Sequence, residues 1–227
     1  MHPAAYYTLR IHGSRIVSVL VLVVISLLAT HLLLQLIHYK LHEVPWLLRQ
    51  LFDVDEEDSI PTWYSSSALI CASVLVFLIS LRKRADHDKW ASYWFGIEIA
   101  LLVLSLDEIA GLHETLNTAI EMSWNIPALG LLIVIGGMYV RFMWHQPAQT
   151  LSLFLAAAAI FLTGTVGVEF ATDWYDEKDL LDTLEYNSWT AVEEGLEMSG
   201  VVLLIHALID YMGQESAASV GIPLVVD

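Results

Sequence analysis

Six apolar runs, each long enough to cross a bilayer, limit what this chain can fold into. They cover residues 16–37, 64–81, 93–112, 126–144, 150–171 and 190–211. A helix needs about 20 apolar residues to span the hydrocarbon core of a membrane. None of the runs shows the two-residue alternation of a membrane strand, so helices must satisfy the backbone polar groups in lipid. The expected fold is all-α: a polytopic six-helix transmembrane bundle, one integral membrane domain over residues 1–227. An apolar content of 56 % in 227 residues agrees, being too high for an ordinary soluble domain. Arg10 and Arg15 precede the first run, which is longer than the apolar part of a signal peptide and reads as a signal anchor.

Lysine and arginine placement sets the expected orientation. Arg10 and Arg15 lie before the first span, Arg82, Lys83, Arg84 and Lys89 between the second and third, and Arg141 at the end of the fourth. All three places fall on one side, which should be cytoplasmic, and both termini with it. The opposite connections carry acids, notably residues 53–58, Glu121 and the stretch from Asp173 to Asp182. The 53–58 run reads as a solvated loop. A net charge of −16 argues against nucleic acid as a partner. The single cysteine, Cys71, excludes an intramolecular disulfide and reads as lipid-facing or packing.

Against this apolar background two stretches stand out. Residues 104–114 end the third span yet hold Asp107, Glu108, His113 and Glu114, and residues 191–198 open the sixth with Glu193, Glu194 and Glu197. Glu169 closes the fifth span. The topology brings all of them to the outer side, together with His38 and His42 at the end of the first span. Ionisable groups inside a membrane are costly and are functional candidates by default. At about 100° per residue, Asp107, His113 and Glu114 share an arc of about 120°, while Glu108 points elsewhere. Glu193, Glu194 and Glu197 span about 100°. Glu169, Asp173 and Asp176 would share a stripe if their helix continued. Competing explanations are plain: acids at a helix N-terminus complement the dipole, those at a helix end can be solvated, and histidines near an interface need no ligand. Glu98, mid-span by length, reads as a packing group, a proton carrier or a support for site ligands. The pairs Gly136-Gly137 and Gly164-x-x-Gly167 suit close helix packing.

Clustered carboxylates repel one another, and loss of solvent penalises their charge. Protons, basic side chains or a cation must compensate, and basic side chains are scarce in these spans. Carboxylates with one or two imidazoles suit Zn²⁺, Mn²⁺ or Fe²⁺ better than Ca²⁺ or Mg²⁺. The expected metal ligands are Asp107, His113, Glu114, Glu169, Glu194 and Glu197, with Glu108 and Glu193 as candidate catalytic bases. The Glu-x-x-His pairs of di-iron bundles are absent, as are His-Glu-x-x-His, the P-loop and Gly-x-Ser-x-Gly.

The patterns Ser-x-Asp-Glu-x-x-x-x-His-Glu at Ser105–Glu114 and Glu-Glu-x-x-Glu-x-x-Gly at Glu193–Gly200 resemble those of bacterial multi-pass membrane proteins of unassigned function. The resemblance covers those two stretches and implies no activity. The leading expectation is a metal-dependent enzyme, a hydrolase or oxidoreductase, in the bacterial inner membrane. Its site would face the periplasm or exterior and take a lipid or amphiphilic substrate from the bilayer. A proton or divalent-cation transporter or channel, and an accessory subunit of a membrane complex, are the alternatives. A reporter fused at the C-terminus should behave as cytoplasmic and one inserted between residues 173 and 189 as external. The opposite pair of outcomes would reverse the sidedness of the site.

Overall fold

The computed structural model describes residues 12–112, 115, 125–172 and 174–218. Among them all regular structure is helical. Helix α1 spans Gly13–Lys40, α2 Trp46–Leu51, α3 Ile60–Ala85, α4 Ala91–Ala110 and α5 Asn125–Met143. Helix α6 spans Ala148–Thr172 and contains a π-helical turn at Thr163–Val168. A short α7 at Trp174–Glu177 leads to α8, Leu184–Ala218. Local chemistry explains several ends. Ser59 caps α3, its Oγ accepting the Thr62 N–H at 3.3 Å, with proline in the first turn. Arg82, Lys83 and Arg84 in the last turn of α3 complement the dipole. Gly111 ends α4 in the left-handed region at φ 51°, donating its N–H to the Asp107 carbonyl at 2.9 Å.

Helices α1, α3 and α6 are long and apolar enough to cross a membrane. The surface has the inverted polarity of a membrane protein. Leu22, Ile25 and Leu33 of α1 and Leu131, Ile133 and Val134 of α5 are exposed, while His31, Gln35, Ser66, Ser73, Glu98 and Ser105 are buried. Cys71 is exposed on the same apolar surface.

The bundle is organised around α8, which packs against α6, α1 and α3, while α3 pairs with α4. Its apolar core joins Leu69, Ala72 and Val76 of α3, Trp94 and Leu101 of α4, and Ile205 and Leu208 of α8. Between apolar helices in lipid, close packing and hydrogen bonds supply the association. The α3–α4 seam uses both. Ser66 and Ser105 exchange hydroxyl-to-carbonyl bonds at 3.0 and 3.1 Å, and Ser73 Oγ donates to the Glu98 carbonyl at 3.2 Å. Helix α5 docks on the start of α4 through Phe142, stacked on Tyr93 and edge-on to Trp94. Tyr139 donates its hydroxyl to the Tyr93 carbonyl at 3.1 Å.

Two expectations need correction. The last long helix starts at Leu184, not near residue 190, because Thr183 opens it: the Thr183 Oγ1 accepts the Tyr186 N–H at 3.2 Å and its carbonyl the Asn187 N–H at 3.1 Å. Gly136 and Gly137 face open space instead of a packed helix, whereas Gly164 and Gly200 lie where a side chain would collide with a neighbour.

A Cβ on Gly200 would stand 2.8 Å from Phe161 Cβ and 3.0 Å from the Ala157 carbonyl oxygen. Gly200→Leu should therefore force α8 off α6. An overpacking cost of about 1–3 kcal/mol lowers the thermal midpoint by roughly 2–4 °C per kcal/mol. Gly136→Leu, with nothing within 4 Å of its Cβ, should leave the midpoint in place. Equal midpoints for the two variants in detergent would refute this packing.

Candidate functional site

The acidic end of the bundle is where α1 and α4 finish and α3 and α8 begin. Glu193 and Glu194 lie more than two turns inside α8, whose first turn carries Glu185 instead. The helix dipole acts within the first turn, so it does not account for these two acids. Glu193, Glu194 and Glu197 are each half-buried. Glu194 stands within electrostatic reach of Glu197, Glu108, Glu193 and Asp55. Acids from α8, α4 and the α2–α3 loop thus converge on one carboxyl.

Glycines let the backbones come this close. In the π-helical turn of α6, a Cβ on Gly164 would lie 2.7 Å from the Glu193 carbonyl oxygen and 2.9 Å from Glu197 Cγ. π turns inside α-helices often mark functional sites, and this one presses α6 against the acidic turns of α8. Glu169 follows directly on the turn and is half-buried. At the end of α4, the Glu57 carboxylate fills the space that a side chain on Gly111 would take.

The loop over residues 52–59 corrects the sequence reading. It was expected in solvent, and Asp55, Glu56 and Asp58 are exposed, yet Asp53 and Val54 are buried and Glu57 is half-buried. The cause is an imidazole. His31, 1 % exposed, places Nδ1 3.3 Å from Asp53 Oδ1 and 3.3 Å from the Val54 amide nitrogen, with Nε2 3.1 Å from the Asn187 carbonyl. Gln35 donates to Asp53 Oδ2 at 2.9 Å. The Tyr186 hydroxyl of α8 donates to Asp55 Oδ2 at 3.3 Å. A carboxylate and an imidazole can be buried because each is hydrogen-bonded.

A second link closes the same end. The Tyr39 hydroxyl donates to Asp182, and Arg49 stands 3.5 Å away. The Tyr39 hydrogen bond, aided by the Arg49 charge, holds the Asp182 carboxyl below its ordinary value.

Of the residues singled out in the sequence, the structure brings Glu108, Glu193, Glu194 and Glu197 together. Glu108, whose helical position pointed away from the other α4 acids, is the α4 acid that reaches Glu194. Asp107 is half-buried in the same last turn of α4. His113, Glu114 and Asp173 lie outside the described residues, as does the side chain of Asp176. His38 and His42 turn to their own loop, His38 Nδ1 accepting the Val44 N–H at 3.3 Å and His42 Nδ1 standing 3.1 Å from the Glu43 carbonyl. Among the described residues, no group of three or more His, Cys, Asp or Glu side chains is arranged to hold a metal ion. Sequence reasoning gave Asp53, Asp55 and Glu57 no part in this end of the bundle. The apolar Val54 set into the acidic run at 53–58, with a capped helix just beyond, was the available signal.

Fold and surface define a helical membrane protein with an acid-rich end. The chain belongs to the family described as "Domain of unknown function (DUF8692)", whose model matches residues 16–211. No curated protein and no solved structure matches it.

Proposed function

We propose that the acidic end binds a divalent cation and that the chain is a metal-dependent membrane enzyme acting on an amphiphilic substrate. The observation that carries the reading is the convergence of Glu197, Glu108, Glu193 and Asp55 on Glu194. Like charges acting on a half-buried carboxyl favour compensation, and a divalent cation would supply it together with a Lewis acid. The donors are the half-buried Glu194, Glu197, Asp107 and Glu169, completed by His113 and Glu114 of the segment that follows α4. A carboxylate–imidazole set of this kind suits Zn²⁺, Mn²⁺ or Fe²⁺. Glu108 and Glu193 are the bases that would take a proton from metal-bound water, whose acidity the ion raises.

An amphiphilic substrate is supported by a groove beside the cluster. It has a volume of about 460 Å³ and is lined by Lys40, Leu184, Glu185, Ser188, Trp189 and Val192. Val192 adjoins Glu193, so an apolar chain along Leu184 and Val192 would bring its polar head to the acids. Six membrane crossings with both termini inside place this end on the exterior face of a bacterial inner membrane, in keeping with the Arg82–Arg84 cluster at the other end.

One observation favours a second reading, passage of protons or cations. Glu98 is buried in the α3–α4 seam, and its Oε2 has no hydrogen-bond partner among the described residues. The apolar Leu69 and Leu101, both buried, belong to the same pair of helices, and the enzyme reading ranks first.

Metal analysis of purified protein should find a bound transition metal. Chelator should lower the thermal midpoint, because a ligand of the native state stabilises it by mass action. Acid should reproduce part of that loss, since protons compete for the same oxygens. Glu197→Gln should fold and lose most of the chelator response. A metal-free protein whose melting curve ignores chelator would exclude the metal site and favour proton passage through Glu98.

A further inference from the structure

We infer that His31 is a positioning residue for the acid cluster: it holds the 52–59 loop in place so that Asp55 is bound to Tyr186 at the acidic end of α8. The inference rests on the reading of that cluster as the functional site. One ring joins three elements. It sits on α1, bonds the first turn of α8 through the Asn187 carbonyl, and meets the loop at Val54 and Asp53. A carbonyl only accepts, so Nε2 carries the proton, and Nδ1 accepts the Val54 N–H; Asp53 Oδ1, 3.3 Å from Nδ1, is a neighbour of the ring and not its hydrogen-bond partner. Asp53 then serves as the loop's internal brace. Its Oδ1 accepts the Asp55 N–H at 3.3 Å and its Oδ2 accepts from Gln35, one turn beyond His31 on α1. Two residues on, Asp55 bonds Tyr186 and reaches Glu194, and Glu57 seats against Gly111.

The energetics point to placement over stability. A buried imidazole and carboxylate lose hydration, and well-packed apolar residues often do as well or better for stability alone. What the polar set adds is direction: each bond fixes the loop's register relative to α1 and α8. Val54 is the loop's one buried apolar side chain beside five acids, and on its own it leaves the placement of Asp55 and Glu57 unfixed. Electrostatics alone would push the loop away from a cluster of like charge.

The test uses full-length protein in nanodiscs, with Cys71→Ser and Val54→Cys. Val54 is 2 % exposed, so its thiol should react slowly with a maleimide while the loop is seated. His31→Phe keeps the ring volume and removes both nitrogens. It should speed modification about tenfold, as local opening becomes easier once the bonds are lost. His31→Gln can still donate to Asn187 and accept from Val54, and should hold the rate within about threefold of the parent. Hydrogen exchange at the Val54 and Asp55 amides, in the chain with Val54 intact, should follow the same order. Full protection in the Phe variant, by both readouts, would overturn the inference. So would equal loss in the Phe and Gln variants, which would mark the ring as packing only. Neither readout needs a cation. Mn²⁺ affinity measured on the same variants should fall with Phe and recover with Gln. Wild type that binds no Mn²⁺ would count against the proposed function while leaving the loop result intact.

Discussion

Like charges gathered in a low-dielectric end of a helical bundle are the constraint on which this molecule turns. Glu194 has four other carboxylates within electrostatic reach, and several of the charges that could offset them act elsewhere. The dipole of α8 begins more than two turns away. Arg49 pairs with Asp182, Arg82 with Asp86, and Lys83 with both Asp88 and Glu215 at the other end of the bundle. A carboxylate-rich, half-buried site suits a cation, which is the compensating charge we propose.

The rest of the fold can be seen as what brings those acids to one place. Apolar side chains do not drive helix association in lipid as they do in water. Close approach comes instead from small and hydroxylated residues: the Ser66–Ser105 exchange, Gly200 under Phe161, and Gly164 under Glu197. The π-helical turn in α6 shifts the register of that helix just where it meets α8. The polar set around His31 then fastens a highly acidic loop over an acidic surface, which burial of apolar area alone would not achieve.

Much of this was legible in the sequence. Among the described residues each apolar run overlaps a long helix, and three of those helices are long and apolar enough to cross a bilayer. The acids near residues 107 and 194 stood out because charge is rare in such runs. Helix ends were less legible. Leu184 starts α8 through the Thr183 turn, a local hydrogen-bond choice that hydropathy does not report. Angular position along an ideal helix set Glu108 apart from the other α4 acids, but what a side chain meets depends on which helices surround it, and α8 and the loop lie on the Glu108 side. The 52–59 loop was read correctly only in part. A run of acids is normally solvated, and Asp55, Glu56 and Asp58 are exposed; the burial of Asp53 depends on Gln35 and His31, which are distant in sequence. Gly136-Gly137 and Gly164 are alike on paper; only the tertiary neighbours distinguish an open glycine from a packed one.

The central claim is that a cation takes the place of protons among these acids. The most direct measurement is a calorimetric titration of Mn²⁺ into metal-free protein in buffers of different ionisation enthalpy, which gives stoichiometry and the protons released per ion bound. The account predicts saturable binding near one site per chain, with net proton release that grows as pH falls. Absence of saturable binding, or binding with no proton exchanged across the range in which carboxylates titrate, would contradict it.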